Sequence, residues 1–398
     1  MARIREDSGS IGSFVQHGRW ILIPDVTVLS TADFHSSVWT NKQYMAVGLA
    51  EHTKVSYIES MGLRAPTVSK ADFARLASRF GKGLRRSGRE TSVPNVRIIS
   101  PKVIPYHGAG VVRAINRRLV SATLARKLEP TPGSVLWTFS PLTYGLEDLH
   151  SRVVYHSVDL LHTLPGVPRD ALLAAEERLI ARADHVIASS AGVANHLTEL
   201  GGRPQVWENV ADVEKFSSAA SLERDDSVVF AGNLTPTKVN FHLVEDLVER
   251  GIRVRLAGPV SIDGVSGENE LQKLLSHPNV EYLGKLSLDQ LAAVCGRAKV
   301  GVIPYHLNEY TSGVFPLKVY EYMAAGMAVV CTPIKSVVAA RPEGVVIAES
   351  DNFAAEVADV LQNWTVEQSA ISSRLAESHS WAGRIEQARG LLIGVGSS

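Results

Sequence analysis

Residues 313–333, GVFPLKVYEYMAAGMAVVCTP, have the pattern of a short helix followed by a strand that is buried on both faces. Apolar residues recur at helical spacing in the first part, where Pro316 suits the first helical turn and Gly326 suits a left-handed helix end. Residues 328–332 are then an uncharged run with β-branched side chains, which ends at Pro333. A helix that leads directly into a buried strand is typical of α/β proteins.

Lys318 and Glu321 are the two charged residues of this otherwise apolar segment, three positions apart on one face of the predicted helix. An exposed pair at that spacing would contribute only about 0.3–0.5 kcal/mol. A helix N-terminus beside a lysine favours an anion such as phosphate, because its free N–H groups and its dipole both attract negative charge. The carboxylate one turn later would accept hydrogen bonds from sugar hydroxyls. The segment alone leaves two interpretations open, a solvated ion pair or a site for a sugar phosphate.

The composition is that of a globular protein with more than one domain. The chain has 398 residues, of which 45% are hydrophobic and 21% charged, and it exceeds the length at which one core usually stops growing. Its formal net charge of zero argues against a nucleic-acid partner held by a general positive field. Cys295 and Cys331 match no disulfide or metal spacing, so we expect small core residues in a reducing cytosol.

Residues 1–18 are polar, and we expect them to be flexible. They lack the apolar segment of a signal peptide, and no run of about 18 apolar residues occurs in the sequence. The sequence therefore predicts a cytoplasmic protein that does not span a membrane.

Short apolar segments alternate with helical patterns in two successive series, which implies parallel strands joined by helices. We therefore predict an α/β fold with two Rossmann-like, doubly wound domains that face each other across a cleft. The first domain spans residues 19–211 and is joined by a C-terminal helix at 380–398, and the second spans residues 225–379. Between them, residues 211–226 are polar and rich in small side chains, as expected of a hinge.

The fold prediction places the Lys318 helix where such proteins bind ligands. In doubly wound sheets ligands collect at the carboxyl ends of strands, beside helix N-termini. Residues 304–316 follow a predicted strand and lead into that helix. At the ends of the chain, the first predicted strand spans residues 19–26 and the last predicted helix spans residues 367–392.

The balanced net charge conceals a basic region between Arg64 and Pro130. This region has 15 Lys and Arg against three acidic residues, a net charge of +12. Two basic helices are predicted in it, at about 70–90 and 111–128, and the first has an apolar face surrounded by basic side chains. The pattern is typical of helices that lie on an anionic membrane, and two core-packing helices with solvated arginines are the alternative.

Several segments together resemble a known enzyme family. In the C-terminal half they are VFAGNLTPTK, LAGP, NVEYLGKLSLDQLAAV, the stretch from KVGVIPY to AAGMAVVCTP, and HSWAGRIEQ. In the N-terminal half they are VWTNKQYMAVGLAEHTKVSYIES, VVYHSVDLLHTLPG, ADHVIASS and ENVADVEKF. Over nearly its whole length the chain resembles family 4-like, or group 1, bacterial polysaccharide glycosyltransferases of the GT-B fold, including xanthan glucuronosyltransferase-type enzymes.

The resemblance implies a nucleotide-sugar site in the second domain. Glu321 would hold the nucleotide ribose, and Lys318 would hold the diphosphate together with the backbone of residues 311–314. Residues 283–286 would border the base, and residues 232–233 would lie close to the phosphates. The implied donor-site residues are Gly232, Asn233, Lys238, Gly258, Leu283, Gly284, Tyr305, Thr311, Ser312, Gly313, Val314, Lys318 and Glu321.

Two positions depart from the pattern of the family. Family 4 members often carry a second glutamate eight residues before the equivalent of Glu321, where this chain has Gly313. Many relatives have Gly–Arg where this chain has Gly232 and Asn233, so Lys318 would supply more of the positive charge. A catalytically inactive nucleotide-sugar-binding protein is therefore one alternative.

Glycosyl transfer needs a stabilised leaving group and, where configuration inverts, a general base for the acceptor hydroxyl. The segment YHSVDLLH follows a predicted strand and offers His156, Asp159 and His162. We expect Asp159 to be the base, because it matches the catalytic aspartate of xanthan glucuronosyltransferase-type enzymes. Asp33 and His35, after the first strand, are rival candidates. A helix cap or turn is the structural alternative for these residues, and a retaining enzyme would need no base.

The sequence has no Asp-x-Asp pair to hold a metal ion against a diphosphate. We therefore expect no metal and no cofactor, with a helix dipole and Lys318 in the place of a metal. The predicted donor is a UDP- or GDP-sugar, and the predicted acceptor is a lipid-linked or cell-surface glycan at the cytoplasmic membrane face. A transferase for natural products and a nucleotide-sugar 2-epimerase are the alternative enzymes.

Overall fold

A computed structural model describes the chain as two α/β domains. It describes residues 13–16, 19–36, 39–63, 92–124, 127–128, 131–164, 166–220, 223–260 and 268–394. The strands of the first domain are β1 (Ser13–Gln16), β2 (Arg19–Leu22), β3 (Val26–Leu29), β4 (Val55–Ile58), β5 (Val96–Ile99), β6 (Val135–Thr138), β7 (Arg152–Ser157), β8 (His185–Ala188) and β9 (Gln205–Val206). β1 and β2 form an antiparallel hairpin, whereas the other seven form one parallel sheet in the order β5-β4-β3-β6-β7-β8-β9.

The second domain contains a six-stranded parallel sheet. Its strands are β10 (Asp225–Ala231), β11 (Arg253–Ala257), β12 (Val280–Gly284), β13 (Ala298–Ile303), β14 (Ala328–Cys331) and β15 (Val345–Ile347), in the order β12-β11-β10-β13-β14-β15. In both sheets the fourth strand returns to the far side of the first, so the switch points lie between β3 and β6 and between β10 and β13. A crevice opens at such a point at the carboxyl ends of the strands.

Helices cover the faces of both sheets. They are α1 (Asn41–Ala50), α2 (Gly110–Leu124), α3 (Arg169–Arg182), α4 (Ala191–Glu199), α5 (Val213–Ser217), α6 (Phe241–Glu249), α7 (Glu268–Leu275), α8 (Leu288–Arg297), α9 (Glu309–Ser312), α10 (Lys318–Ala324), α11 (Lys335–Ala340), α12 (Phe353–Gln362), α13 (Val366–Ala376) and α14 (Trp381–Leu392). Short 3-10 turns occur at Leu146–Leu149, Leu161–Thr163, Ser350–Asn352 and Glu377–His379. Each described helix is too short or too polar to cross a lipid bilayer.

The chain passes between the domains twice, at neighbouring points. Ala211 donates a backbone hydrogen bond to the carbonyl of His379 (2.9 Å), and it forms a β-bridge with Ser380. Beyond this second crossing, α14 returns to the first domain, where Ile385 and Ala388 join the core that contains Met45 of α1. The two connections therefore lie side by side.

The predicted α/β fold with two doubly wound domains is confirmed, but the predicted hinge at 211–226 is wrong over much of its length. Residues 213–217 form α5, and Phe216 is fully buried in the core of the second domain with Val213 and Ala219. These apolar residues recur at helical spacing, so burial of that face outweighed the small, polar composition around it.

Two further expectations differ from the structure. The predicted strand at 19–26 is two strands, because Pro24 lies between β2 and β3 and cannot donate to a sheet. The predicted helix at 367–392 is divided into α13 and α14, and Ser380 caps the second by accepting a hydrogen bond from the Gly383 N–H.

Some expectations fall on residues outside the described ones. The basic helix at about 70–90 is among them. Of the predicted flexible segment 1–18, only residues 13–16 are described, and they form β1. The second basic helix, expected at 111–128, is observed as α2.

Candidate active site

Three glycines lie at the ends of adjacent strands in the second domain. Gly232, Gly258 and Gly284 follow or end β10, β11 and β12, and the Gly258 N–H donates to the Gly284 carbonyl (2.7 Å). Gly258 has a φ of +137°, and a Cβ at this position would lie 1.8 Å from the Gly232 carbonyl oxygen. Only glycine permits this approach, so the loops at this edge of the sheet are held together by backbone contact.

Helix α10 brings Lys318 over the first of these loops. A Cβ built on Gly232 would lie 3.6 Å from Lys318 Cε, so the lysine stem passes beside the glycine. Lys318 Nζ lies 3.5 Å from Glu321 Oε2, and their side chains are 20% and 13% exposed. Glu321 Oε2 is buried and accepts no hydrogen bond from the described residues. A buried carboxylate oxygen without a donor needs an explanation, and a ligand hydroxyl would provide one.

The amide groups at the start of α10 complete the positive end of this site. The N–H groups of Leu317 and Lys318, the last residue before the helix and its first, make no hydrogen bond within the described part of the chain. Unpaired N–H groups of this kind are available to an oxyanion.

The backbone of residues 311–314 does not provide such donors, contrary to the expectation from sequence. Asn308 caps α9 and accepts from the N–H groups of Thr311 and Ser312 through its side chain and its carbonyl, respectively. The N–H groups of Gly313 and Val314 donate to the carbonyls of Tyr310 and Thr311. All four amides are therefore occupied by the helical turn, and the free donors lie one turn further along.

The switch point of the second sheet holds two more predicted residues. Lys238 Nζ lies 4.6 Å from the centre of the Tyr305 ring, in a cation–π arrangement. Tyr305 is 3% exposed, and burial raises its pKa to about 12, so its hydroxyl stays protonated. Of the other predicted positions, Asn233 is exposed, whereas Leu283 and Gly284 are partly buried at the β12 edge.

On the opposite side of the cleft, Asp159 follows β7 and is partly buried. Burial raises the pKa of its carboxyl above the usual value, and the charges of Lys42 and Lys238 oppose that shift. Lys42 is a residue of α1 that is only 7% exposed, and burial lowers its pKa while Asp159 opposes the change. A carboxylate with a raised pKa, which also feels the charge of one lysine from each domain, has the properties of a general base.

The other predicted bases lie in less suitable places. His156 is 1% exposed among aromatic rings, and Trp137 Nε1–H donates to its Nδ1 (3.4 Å). Burial, followed by the charges of Arg384 and Lys42, lowers the pKa of His156 well below its usual value. His156, a candidate base from sequence, is therefore enclosed in the core of the first domain. Asp33 and His35 are exposed in the loop after β3.

Hydrogen bonds join the start of α10 to the first domain. Asn41 of α1 donates to the Asn209 side-chain oxygen (2.8 Å), and Asn209 donates to the Phe315 carbonyl (2.6 Å). The Ser190 hydroxyl donates to the Gly313 carbonyl (2.8 Å). The turn before Lys318 therefore faces the first domain, as an active site between two domains requires.

Lys42, Asn41 and Asn209 were not identified from sequence. One signal was available for Lys42: it lies three, four and seven residues before three fully buried apolar residues of α1, so it occupies the buried helix face.

A separate cluster in the first domain brings together His162, Glu176 and His196 from three elements. Of these three residues, only His162 was singled out from sequence.

Comparison with known proteins relates this chain to glycosyltransferases. Residues 225–363 match the family model described as Glycosyl transferases group 1. The Bacillus subtilis (strain 168) protein named as the teichuronic acid biosynthesis glycosyltransferase TuaH is 28% identical over 217 residues, which are 51% of this chain and 53% of that protein. The alignment thus spans about half the length of that relative.

Solved structures share the two-domain fold over almost the whole chain. Sucrose-phosphate synthase from Thermosynechococcus elongatus superposes with a TM-score of 0.69 at 16% identity, covering 94% of this chain and 99% of that one. HepE from Anabaena, in complex with UDP, superposes with a TM-score of 0.60 at 13% identity, covering 93% and 100%. These similarities establish the GT-B fold.

Proposed function

We propose that this chain, whose residues 225–363 form a group 1 glycosyl transferase domain within a GT-B fold, transfers a sugar from a nucleotide-sugar donor to a glycan acceptor. The observation that carries the proposal is the start of α10. There Lys318, two N–H groups without a hydrogen-bond partner among the described residues and a Glu321 oxygen that is ion-paired with Lys318 but accepts no hydrogen bond from them lie beside the Gly232 loop.

The donor binds with its diphosphate against Lys318 and the N–H groups of Leu317 and Lys318. Positive charge at this point stabilises the nucleoside diphosphate as it leaves, without a metal ion at the diphosphate. Glu321 accepts hydrogen bonds from the ribose hydroxyls. The donor is a UDP- or GDP-sugar, and UDP is favoured because HepE of the same fold was crystallised with it.

Asp159 accepts the proton of the acceptor hydroxyl where the reaction inverts configuration. It lies on the acceptor side of the cleft, and its raised pKa makes it a stronger base than an ordinary carboxylate. In a retaining reaction the same carboxylate orients the acceptor. Contact between the two domains around α10 excludes water and protects the donor from hydrolysis.

We assign the acceptor to the lipid-linked or cell-surface glycans of bacteria, at the cytoplasmic membrane face. The partial match to the teichuronic acid glycosyltransferase supports a polysaccharide acceptor. Helix α2 supports a membrane surface, because Val111, Ile115 and Leu119 recur every four residues along it and are 75%, 41% and 37% exposed. Such a stripe beside arginines is suited to peripheral contact with anionic lipid.

Incubation with a panel of nucleotide sugars tests the function. A transferase consumes its preferred donor when membrane glycolipid acceptor is supplied, and it releases the nucleoside diphosphate. A 2-epimerase would convert the donor without an acceptor, and an inactive binding protein would show a thermal shift without turnover. Either of these results would contradict the proposed transfer. Glu321→Gln serves as the matched variant, because it preserves the shape of the site and removes the ribose-binding charge.

A further inference from the structure

Three metal-binding side chains converge in the first domain, away from the donor site. His162 lies in the 3-10 turn Leu161–Thr163, Glu176 in α3 and His196 in α4. One ligand atom from each of the three lies within 4.8 Å of those of the other two. They are 8%, 5% and 14% exposed, the last value being that of the side chain, so the cluster is enclosed and still reached by solvent.

Hydrogen bonds already orient two of the three side chains. His196 Nε2 lies 2.8 Å from Glu176 Oε2. The Tyr155 hydroxyl donates to the other carboxylate oxygen, Oε1 (2.5 Å). A ligating carboxylate is commonly held in this way by an outer hydrogen-bond donor, which leaves one oxygen for the metal.

The position of His162 beside this pair is not explained by hydrogen bonding. Its ring centre lies 4.3 Å from that of His196, and its imidazole makes no hydrogen bond with the described residues. The pair formed by Glu176 and His196 is complete without it. Two adjacent imidazoles facing one carboxylate are, however, the donor set of a transition-metal site.

We propose that His162, Glu176 and His196 bind one Zn²⁺ ion, with water in the fourth position. Two nitrogen donors and one carboxylate suit Zn²⁺, whereas Ca²⁺ and Mg²⁺ require mainly oxygen ligands. With bonds of about 2.0–2.2 Å, tetrahedral ligands lie about 3.4 Å apart. The 2.8 Å contact must therefore lengthen and the longer separations shorten, which small side-chain rotations accomplish. Zn²⁺ takes the place of the proton between His196 and Glu176.

An ion at this site would stabilise the acceptor side of the cleft. The turn that contains His162 directly follows Asp159 and Leu160, and the other two ligands belong to α3 and α4 of the same domain. Zn²⁺ would thus fix this turn to two helices. The site is structural and separate from the diphosphate, so it stands or fails independently of the proposed transfer reaction.

Metal binding by the full chain provides the test. Protein freed of metal by a chelator is dialysed against Zn²⁺ alone, and the bound metal is measured by mass spectrometry and by competition with a coloured chelator. One Zn²⁺ per chain is expected, with a higher melting temperature in its presence. Because the wild-type protein is used, a variant that fails to fold cannot conceal the answer. Absence of bound Zn²⁺ would overturn the proposal.

Variants then locate the ion. His162→Asn is expected to weaken binding at least tenfold and to leave the bonds among Tyr155, Glu176 and His196 in place. Tyr155→Phe is expected to weaken it about 10–100-fold, as loss of an outer partner does. His242→Asn is the matched control, because His242 Nδ1 lies 3.0 Å from Glu245 Oε2 at the surface and belongs to no cluster of three metal-binding side chains among the described residues. Equal affinity in wild-type and His162→Asn protein would place the ion elsewhere and contradict the proposal.

Discussion

The side chain of Leu160 occupies the space that a side chain at position 313 would need. A Cβ at Gly313 would lie 2.6 Å from both Cγ and Cδ1 of Leu160, which belongs to the other domain. Gly313 has a φ of −91°, a value that any residue adopts, so backbone strain does not account for the glycine. Contact between the domains accounts for it, and the same contact leaves no room for the glutamate that the family resemblance led us to expect at this position.

Restoring that glutamate is therefore expected to impair the protein. Gly313→Glu should destabilise it by about 1–3 kcal/mol through overpacking and should lower turnover. Thermal unfolding and donor consumption measure the two effects. Leu160→Ala in the same chain should recover part of both losses, because it removes the obstructing atoms. Unchanged stability with higher turnover in Gly313→Glu would show that the domains do not pack in this way.

Lys318→Ala is expected to reduce turnover at least tenfold, equivalent to about 1.4 kcal/mol of transition-state stabilisation. The melting temperature should also fall, because the side chains of Lys318 and Glu321 are only 20% and 13% exposed and the variant leaves a mostly buried carboxylate without its cation. Lys335→Ala is the matched control: Lys335 is also the first residue of a helix, α11, and is exposed. Equal losses in both variants, or no loss in Lys318→Ala, would remove the diphosphate site from α10.

Asp159→Asn is expected to separate activity from stability. A general base contributes about 10²–10⁴-fold, so turnover should fall at least 100-fold if the reaction inverts. Because burial raises the pKa of Asp159, the folded protein holds more protons than the unfolded chain between the two pKa values. The free energy of unfolding therefore falls as pH rises through that window. Above it, the Asn variant should melt at a higher temperature than the wild type, and below pH of about 4, under the pKa of the unfolded carboxyl, the difference should vanish.

The pH dependence of turnover should reveal the influence of Lys42 on Asp159. The base must lose its proton, so kcat/KM rises with pH through the pKa of the Asp159 carboxyl. Lys42 opposes the raised pKa, and Lys42→Met should move this rise to higher pH. Lys54→Met, at a position exposed beside β4, serves as the control. A shift to lower pH would contradict the assignment of the base.

The sequence was informative where function depends on local pattern. Lys318 and Glu321 are close in the chain, and the glycine-marked helix end beside them defines the strand that follows. Residues whose role arises only from packing were harder to predict from the sequence. Asn209 connects α1 to the Phe315 carbonyl, and nothing near it in sequence indicates that contact. The hinge prediction failed for a related reason: Phe216 is buried in the core of the second domain, among residues that are distant from it in the sequence.

The amphipathic surface of α2 gives the test of membrane contact. Val111 and Leu119 expose apolar side chains on one face of the helix. Each lies four residues from Ile115, and the two lie eight residues from each other. Their burial in lipid contributes to the free energy of membrane binding in proportion to the apolar area removed from water, and adjacent arginines add attraction to anionic headgroups.

The double variant Val111→Ser/Leu119→Ser should therefore float at least tenfold less with phosphatidylglycerol vesicles, and high salt should weaken wild-type flotation. Val366→Ser/Ile371→Ser is the matched control, because these residues of α13 are also exposed, at 76% and 44%, but lie on the second domain. Since the two double variants remove similar apolar area, equal flotation of both would show that α2 does not face the membrane.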